Sequence, residues 1–167
     1  MKNLLLILFA GLLSAQSLQP QVGIHYMGGL SYDMEQEPIG VEAGLLYTLK
    51  KPSLVMSSVG VNYNYYYNLI PEKPGNYYGF YIAKIQFSKE IAEHWNFTYY
   101  AGYANKFDNN LMQHFDGPYK TNLSYGFGFQ IAYEYITGEI LYESVAGYPH
   151  LSVGIKYNIT DLLKKKY

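Results

Sequence analysis

Apolar residues recur at every second position in eight successive stretches of this chain, and that period fits a β-strand with one apolar face and no helix. The first run places Val22, Ile24, Tyr26, Leu30 and Tyr32 on one face. The second places Val41, Ala43, Leu45, Tyr47 and Leu49, and the third Val55, Val59, Val61, Tyr63 and Tyr65. Tyr81, Ala83, Ile85 and Phe87 form the fourth; Trp95, Phe97, Tyr99, Ala101 and Tyr103 form the fifth. The sixth holds Leu123, Tyr125, Phe127, Phe129, Ile131 and Tyr133, the seventh Ile140, Tyr142, Ala146 and Tyr148, and the eighth Leu151, Val153, Ile155, Tyr157 and Ile159. The opposite face of each run is Gly, Ser, Asn, Gln and a few charges. Segments of this length and spacing predict an all-β fold, an eight-stranded antiparallel up-and-down barrel.

The connections alternate in character. Asp33–Pro38, Pro71–Asn76, Asp108–Pro118 and Gly147–Pro149 form one set, mostly long and polar. Lys50–Ser53, Lys89–His94 and Thr137-Gly138 form the other, mostly short. Thr137-Gly138 reads as a two-residue hairpin turn, and Glu90, Glu93 and His94 as a short helical turn.

Alternation does not say whether the apolar face points in or out. Three arguments turn it outward, toward lipid. An eight-stranded barrel is just wide enough inside for its smaller side chains, and the apolar set is rich in Tyr and Phe. The polar face is Gly, Ser, Asn and Gln, which suits a cramped interior. A soluble surface carries far more charge, and only 15% of this chain is charged. Aromatic residues also gather at the two ends of the strands, as in the girdles at bilayer interfaces. Tyr32, Tyr65, Tyr67, Tyr77, Tyr78, Tyr103, Phe107, Tyr119 and Tyr148 mark the long-loop end. Tyr47, Phe87, Trp95, Phe97, Tyr133, Tyr135 and Tyr157 mark the other.

The chain start fits the same reading. Lys2, the apolar run Leu4–Leu13 and the small residues Ser14 and Ala15 make a secretory signal peptide over 1–15, with cleavage expected after Ala15. The barrel is then expected over 16–160 and a periplasmic tail over 161–167. The chain has no Cys, which excludes disulfides, thiol chemistry, thiolate metal sites and a lipoprotein anchor. It has no Arg and a net charge of −1, so no nucleic-acid partner is expected.

The signal peptide, the eight alternating segments and the closing strand Leu151–Ile159 together resemble the small eight-stranded outer-membrane β-barrels of Gram-negative bacteria. That group includes the OmpA transmembrane domain, OmpX and OmpW. The resemblance implies a porin-like transmembrane barrel in the cell outer membrane. It also implies partners: outer-membrane lipids and lipopolysaccharide, the barrel-assembly machinery, and a possible larger membrane assembly. Such barrels usually end on the aromatic residue that closes the last strand. Here the chain continues past Ile159, leaving Tyr157 or Tyr167 to serve.

Candidate chemistry lies on the inward parity. Glu42, Lys84, Glu134, Glu143 and Lys156 form the expected lumen ionic cluster, with Glu139 and Lys106 on the same parity. Charges in a narrow interior must be paired. The plain reading is an ionic plug, with Glu143 and Lys156 expected to meet across adjacent strands and His25 expected to be hydrogen-bonded. The resulting expectation is a non-enzymatic barrel with a structural or surface-interaction role and no cofactor or metal. A narrow channel for small hydrophobic or ionic solutes is the first alternative. The second is a lipid-modifying enzyme. His150 and Ser152 resemble the His-x-Ser pair of lipid A deacylase barrels, with Glu143 placed to orient the His. His114 and Asp116 in the longest loop resemble the rim residues of a palmitoyl-transferring barrel, and with Asp108, Asn109 and Asn110 could also hold calcium.

Overall fold

The computed structural model describes residues 15–29, 38–67, 79–106, 122–145 and 147–159. Eight strands follow in chain order: β1 Ala15–Gly29, β2 Ile39–Leu49, β3 Ser58–Tyr67, β4 Gly79–Ala92, β5 Trp95–Lys106, β6 Leu123–Tyr133, β7 Ile136–Val145 and β8 Tyr148–Asn158. Each pairs antiparallel with its chain neighbour, and β1 pairs with β8, so the sheet closes on itself. Closure removes both edges, and no backbone ladder is left to pair with another chain. Among the described residues there is no helix.

The parity expected from the sequence holds on every strand. Ile24, Val41, Val61, Ile85, Phe127, Phe129, Ile140, Val153 and Ile155 are exposed on the outer surface. Ile155 keeps 64% of its surface accessible while its neighbour Lys156 keeps 1%. That is the reverse of a soluble barrel, where apolar side chains fill the interior. The outer aromatic residues pack along the wall. Phe87 stacks on Tyr99 at 5.4 Å, and Phe97 meets Phe129 edge-on at 5.7 Å.

Several strand limits differ from the sequence expectation. β1 begins at Ala15 rather than Val22, with a register irregularity between Ala15 and Ser17. β3 begins at Ser58, so Val55 and Met56 belong to the connection before it. β4 runs on to Ala92, leaving Glu93-His94 as a tight turn with His94 at φ 65°, not a helical turn. Thr137 and Gly138 lie inside β7. The β6–β7 turn is Glu134-Tyr135, flanked by the pair Tyr133↔Ile136, with Glu134 at φ 50°. Both Thr137-Gly138 and Glu134-Tyr135 preserve alternation, so parity does not choose between them. The observed ladder runs from Ser124↔Val145 to Tyr133↔Ile136 and so closes on Glu134-Tyr135.

Residues 1–14, 30–37, 68–78, 107–121, 146 and 160–167 lie outside the described residues. The expected signal peptide except Ala15, the expected tail, and Leu30, Tyr32, Tyr77, Tyr78, Phe107, Asp108, Asn109, Asn110, His114, Asp116, Tyr119, Ala146 and Tyr167 fall there, while Ala15 is the first residue of β1.

Candidate functional site in the barrel lumen

Large and absent side chains alternate around the inner wall. Gly23 on β1 pairs with Lys156 on β8 and with Glu42 on β2, so the three stand on one level. A Cβ at Gly23 would come within 3.1 Å of Lys156 Cγ. The lysine stem therefore lies across the glycine to reach β2. His25 likewise lies over Gly154, where a Cβ would collide with the imidazole. Eight strands enclose little space, and a bulky lumen residue needs a gap on the adjacent strand.

The Lys156 ammonium sits 2.9 Å from Glu42 Oε1 and 3.0 Å from Glu139 Oε2, and donates to Gln86 Oε1 at 3.0 Å. Three oxygens, from β2, β7 and β4, thus surround the ammonium, two as ion-pair partners and one as a hydrogen-bond acceptor. Glu42 Oε2 accepts from Asn64 Nδ2 at 2.8 Å and faces Lys84 Nζ at 3.3 Å. Glu139 Oε2 accepts from Gln130 Nε2 at 2.9 Å. The two His25 nitrogens face the two carboxylates, Nε2 to Glu42 at 3.1 Å and Nδ1 to Glu139 at 3.4 Å. Gln86 also accepts from Asn62 Nδ2 and donates to Thr98 Oγ1, both at 2.9 Å. These side chains are buried. Two carboxylates and two ammonium groups balance here, and low dielectric makes each contact strong.

This network occupies the middle of the barrel. Toward the short-turn end lies a cavity of about 80 Å³ lined by Gln21, Ser58, Ser88, Asn96, Thr137 and Asn158. Toward the long-loop end Met27, Tyr66, Phe80, Ile82, Leu141 and Val145 are buried together, at levels that also hold buried Glu143, His150 and Ser152. Tyr66 stacks on Phe80 at 4.8 Å, and Lys84 Nζ lies 5.0 Å above the Tyr100 ring.

Of the expected ionic cluster, Glu42, Lys84 and Lys156 come together, joined by Glu139. Glu134 does not, because it occupies the exposed two-residue turn. Glu143 is fully buried but does not meet Lys156. Lys156 stands opposite Thr137 and Glu143 opposite His150, six residues further along β7. At 3.3 Å per residue their backbone levels lie about 20 Å apart, and the Lys156 ammonium leans only as far as Glu139, four residues short of Glu143. Neither Glu143 oxygen has a hydrogen-bond partner among the described residues. The carboxylate lies instead beside Tyr100, and both would crowd a Cβ at Gly126. Lys106 is in β5.

The catalytic alternative is brought together in part. Glu143 and His150 are cross-strand partners, and Ser152 follows on the same face of β8. All three are buried, at 0%, 3% and 1% exposure, on the lumen side of the wall. An acyl chain in the bilayer meets the other side.

His25, Glu42 and Glu139 hold ligand-type atoms all within 4.8 Å of one another, a grouping that suits a metal ion. Lys156 already provides the positive charge between its two carboxylates.

The sequence reading missed Tyr66, Phe80, Ile82 and Tyr100 as interior residues. Each lies beside an outward aromatic residue, in Tyr65-Tyr66-Tyr67, Phe80-Tyr81-Ile82 and Tyr99-Tyr100, where alternation of polarity disappears.

No family model matches the chain, and no curated protein sequence does. Solved structures do. A de novo designed transmembrane β-barrel aligns over 87% of this chain and 97% of its own, with a TM-score of 0.52 and 15% identity. The crystal structure of Neisserial surface protein A aligns over 87% of this chain and 99% of its own, with a TM-score of 0.51 and 13% identity. The fold is that of a small transmembrane β-barrel. The barrel has the same architecture as these proteins at an identity that carries nothing finer.

Proposed function

We propose that this chain is a non-enzymatic barrel of the bacterial outer membrane, with a structural or surface-interaction role and a lumen plugged by its own side chains. The observation that carries the reading is the saturation of Lys156 by Glu42, Glu139 and Gln86. Every partner comes from the barrel wall, so the central charges are neutralised with no bound solute. An ion entering would have to displace contacts that are costly to break in low dielectric. The outward apolar face supports contact with lipid, and the surface role of the Neisserial barrel, stated in its name, supports an analogous placement. Outer-membrane lipids and lipopolysaccharide are then its surroundings, the barrel-assembly machinery its route of insertion, and a larger membrane assembly a further partner. The burial of Glu143, His150 and Ser152 weighs against lipid hydrolysis.

Three measurements test this. The protein should fractionate with outer membranes and migrate differently on gels before and after heating. Reconstituted in a planar bilayer, it should pass no current. Recovery as a soluble periplasmic protein would overturn the location, and steady ion conductance would overturn the plug.

A further inference from the structure

The connection between β2 and β3 carries the most exposed large apolar side chain among the described residues. Leu54 is 93% exposed and Val55 59% exposed. Elsewhere in a globular protein such a tip is unremarkable. Here it is held in a fixed shape. Ser53 N donates to Met56 O at 2.8 Å, and Ser53 Oγ accepts from Met56 N at 3.0 Å and Val55 N at 3.3 Å. That small serine turn forces Leu54 and Val55 outward.

The knuckle is also fastened to the outside of the barrel. Lys89 Nζ donates to Ser53 O at 2.8 Å, and Tyr99 OH to Val55 O at 3.4 Å. Ser57 N donates to Ser88 O at 2.7 Å. Lys89 and Tyr99 have outward parity, because Ser88, Thr98 and Tyr100 beside them are buried. The connection therefore folds over the outer wall, next to the Phe87–Tyr99 stack, instead of across the barrel mouth. Lys50 and Lys51 stand exposed at its start.

We propose that Leu54 and Val55 form an interfacial anchor that inserts into the lipid leaflet at the short-turn end, with Lys50 and Lys51 on the phosphates of anionic lipids. This rests on the reading of the chain as a membrane barrel. Three features favour lipid as the occupant. The knuckle is continuous with the lipid-facing wall through Tyr99. Apolar tips flanked by lysines match the boundary between acyl chains and anionic headgroups. The hydrogen bonds order the turn before it meets a membrane, so insertion costs little further conformational entropy.

The chain has no Cys, so single labels are simple to place. Leu54→Cys, Glu93→Cys and Phe129→Cys would each carry an environment-sensitive fluorophore. The proteins would be reconstituted in vesicles of phosphatidylethanolamine and phosphatidylglycerol, with and without brominated acyl chains. Position 54 should emit at short wavelength and be quenched by the brominated lipid, as position 129 is. Position 93, on an exposed turn at the same end, should emit as in water. Replacing Lys50 and Lys51 by Gln should weaken the quenching at position 54, and more so in anionic vesicles than in neutral ones. Water-like emission at 54 with lipid-like emission at 129 would overturn the anchor alone. Water-like emission at 129 as well would overturn the membrane reading beneath it. A short-wavelength signal at 54 that vanishes on dilution with lipid would assign the knuckle to a second copy of the chain and also overturn the anchor.

Discussion

The Lys156 ammonium reaches Glu42 Oε1 at 2.9 Å by crossing the glycine of the strand between them. Lys156 is on the last strand, Glu42 on the second, and Gly23 on the first. The contact therefore spans the β1–β8 seam at which the barrel closes, and ties closure to the central charge balance.

Removing the lysine should expose that dependence. Lys156→Gln leaves Glu42 and Glu139, both buried, without their shared cation. The expected loss is about 3–5 kcal/mol of folding stability, measured by denaturant unfolding in bilayers. Lys156→Gln with Glu139→Gln should recover part of it. A double-mutant cycle should give coupling between Lys156 and Glu42, because they touch.

Glu143 should behave differently. Its carboxylate is buried beside Tyr100 with no ion-pair partner among the described residues, so Glu143→Gln removes a buried charge that no described cation faces. The expected change is neutral to stabilising, by up to about 2 kcal/mol. Glu143→Gln and Lys156→Gln should couple less than Lys156→Gln and Glu42→Gln, because Lys156 touches Glu42 and does not touch Glu143. Ser152→Ala should leave the lipid A mass spectrum of expressing cells unchanged.

Gly23 has a packing role. A Cβ there meets Ile155 O at 3.0 Å and the Lys156 stem at 3.1 Å. Gly23→Leu should cost roughly 1–3 kcal/mol by overpacking. Comparing it with Gly138→Ala, where a Cβ meets nothing within 4 Å, controls for the loss of glycine itself.

The β6–β7 turn is testable through its strained backbone. Glu134 holds φ 50°, a left-handed conformation that costs non-glycine residues about 1–2 kcal/mol. Glu134→Gly should be neutral or stabilising in bilayer unfolding. A large loss would return Glu134 to the lumen.

The sequence made the wall legible because parity in a strand repeats every two residues, and an outward Val or Ile beside an inward Gly or Ser is unambiguous. Glu42, Lys84, Glu139 and Lys156 were readable as inward for the same reason. Their pairing was not. Which lumen charges meet depends on the stagger of eight strands and on which side chains cross a glycine, and neither follows from one strand's pattern. The Glu143–Lys156 pairing failed on that register. Glu134 was misplaced because two candidate turns keep the same parity. Tyr66 and Tyr100 stayed hidden among neighbouring tyrosines of opposite orientation.

The apolar face meets lipid and the polar face fills the lumen, and the alternation along β8 samples both faces residue by residue. Single cysteines at successive positions from Leu151 to Tyr157, spin-labelled after reconstitution in lipid, would be read for access to oxygen from the bilayer and to a polar nickel chelate from water. Oxygen access is expected at 151, 153, 155 and 157, with 152, 154 and 156 closed to both or unable to fold when labelled. Access to the nickel chelate at 153 and 155, with no access to oxygen, would contradict it.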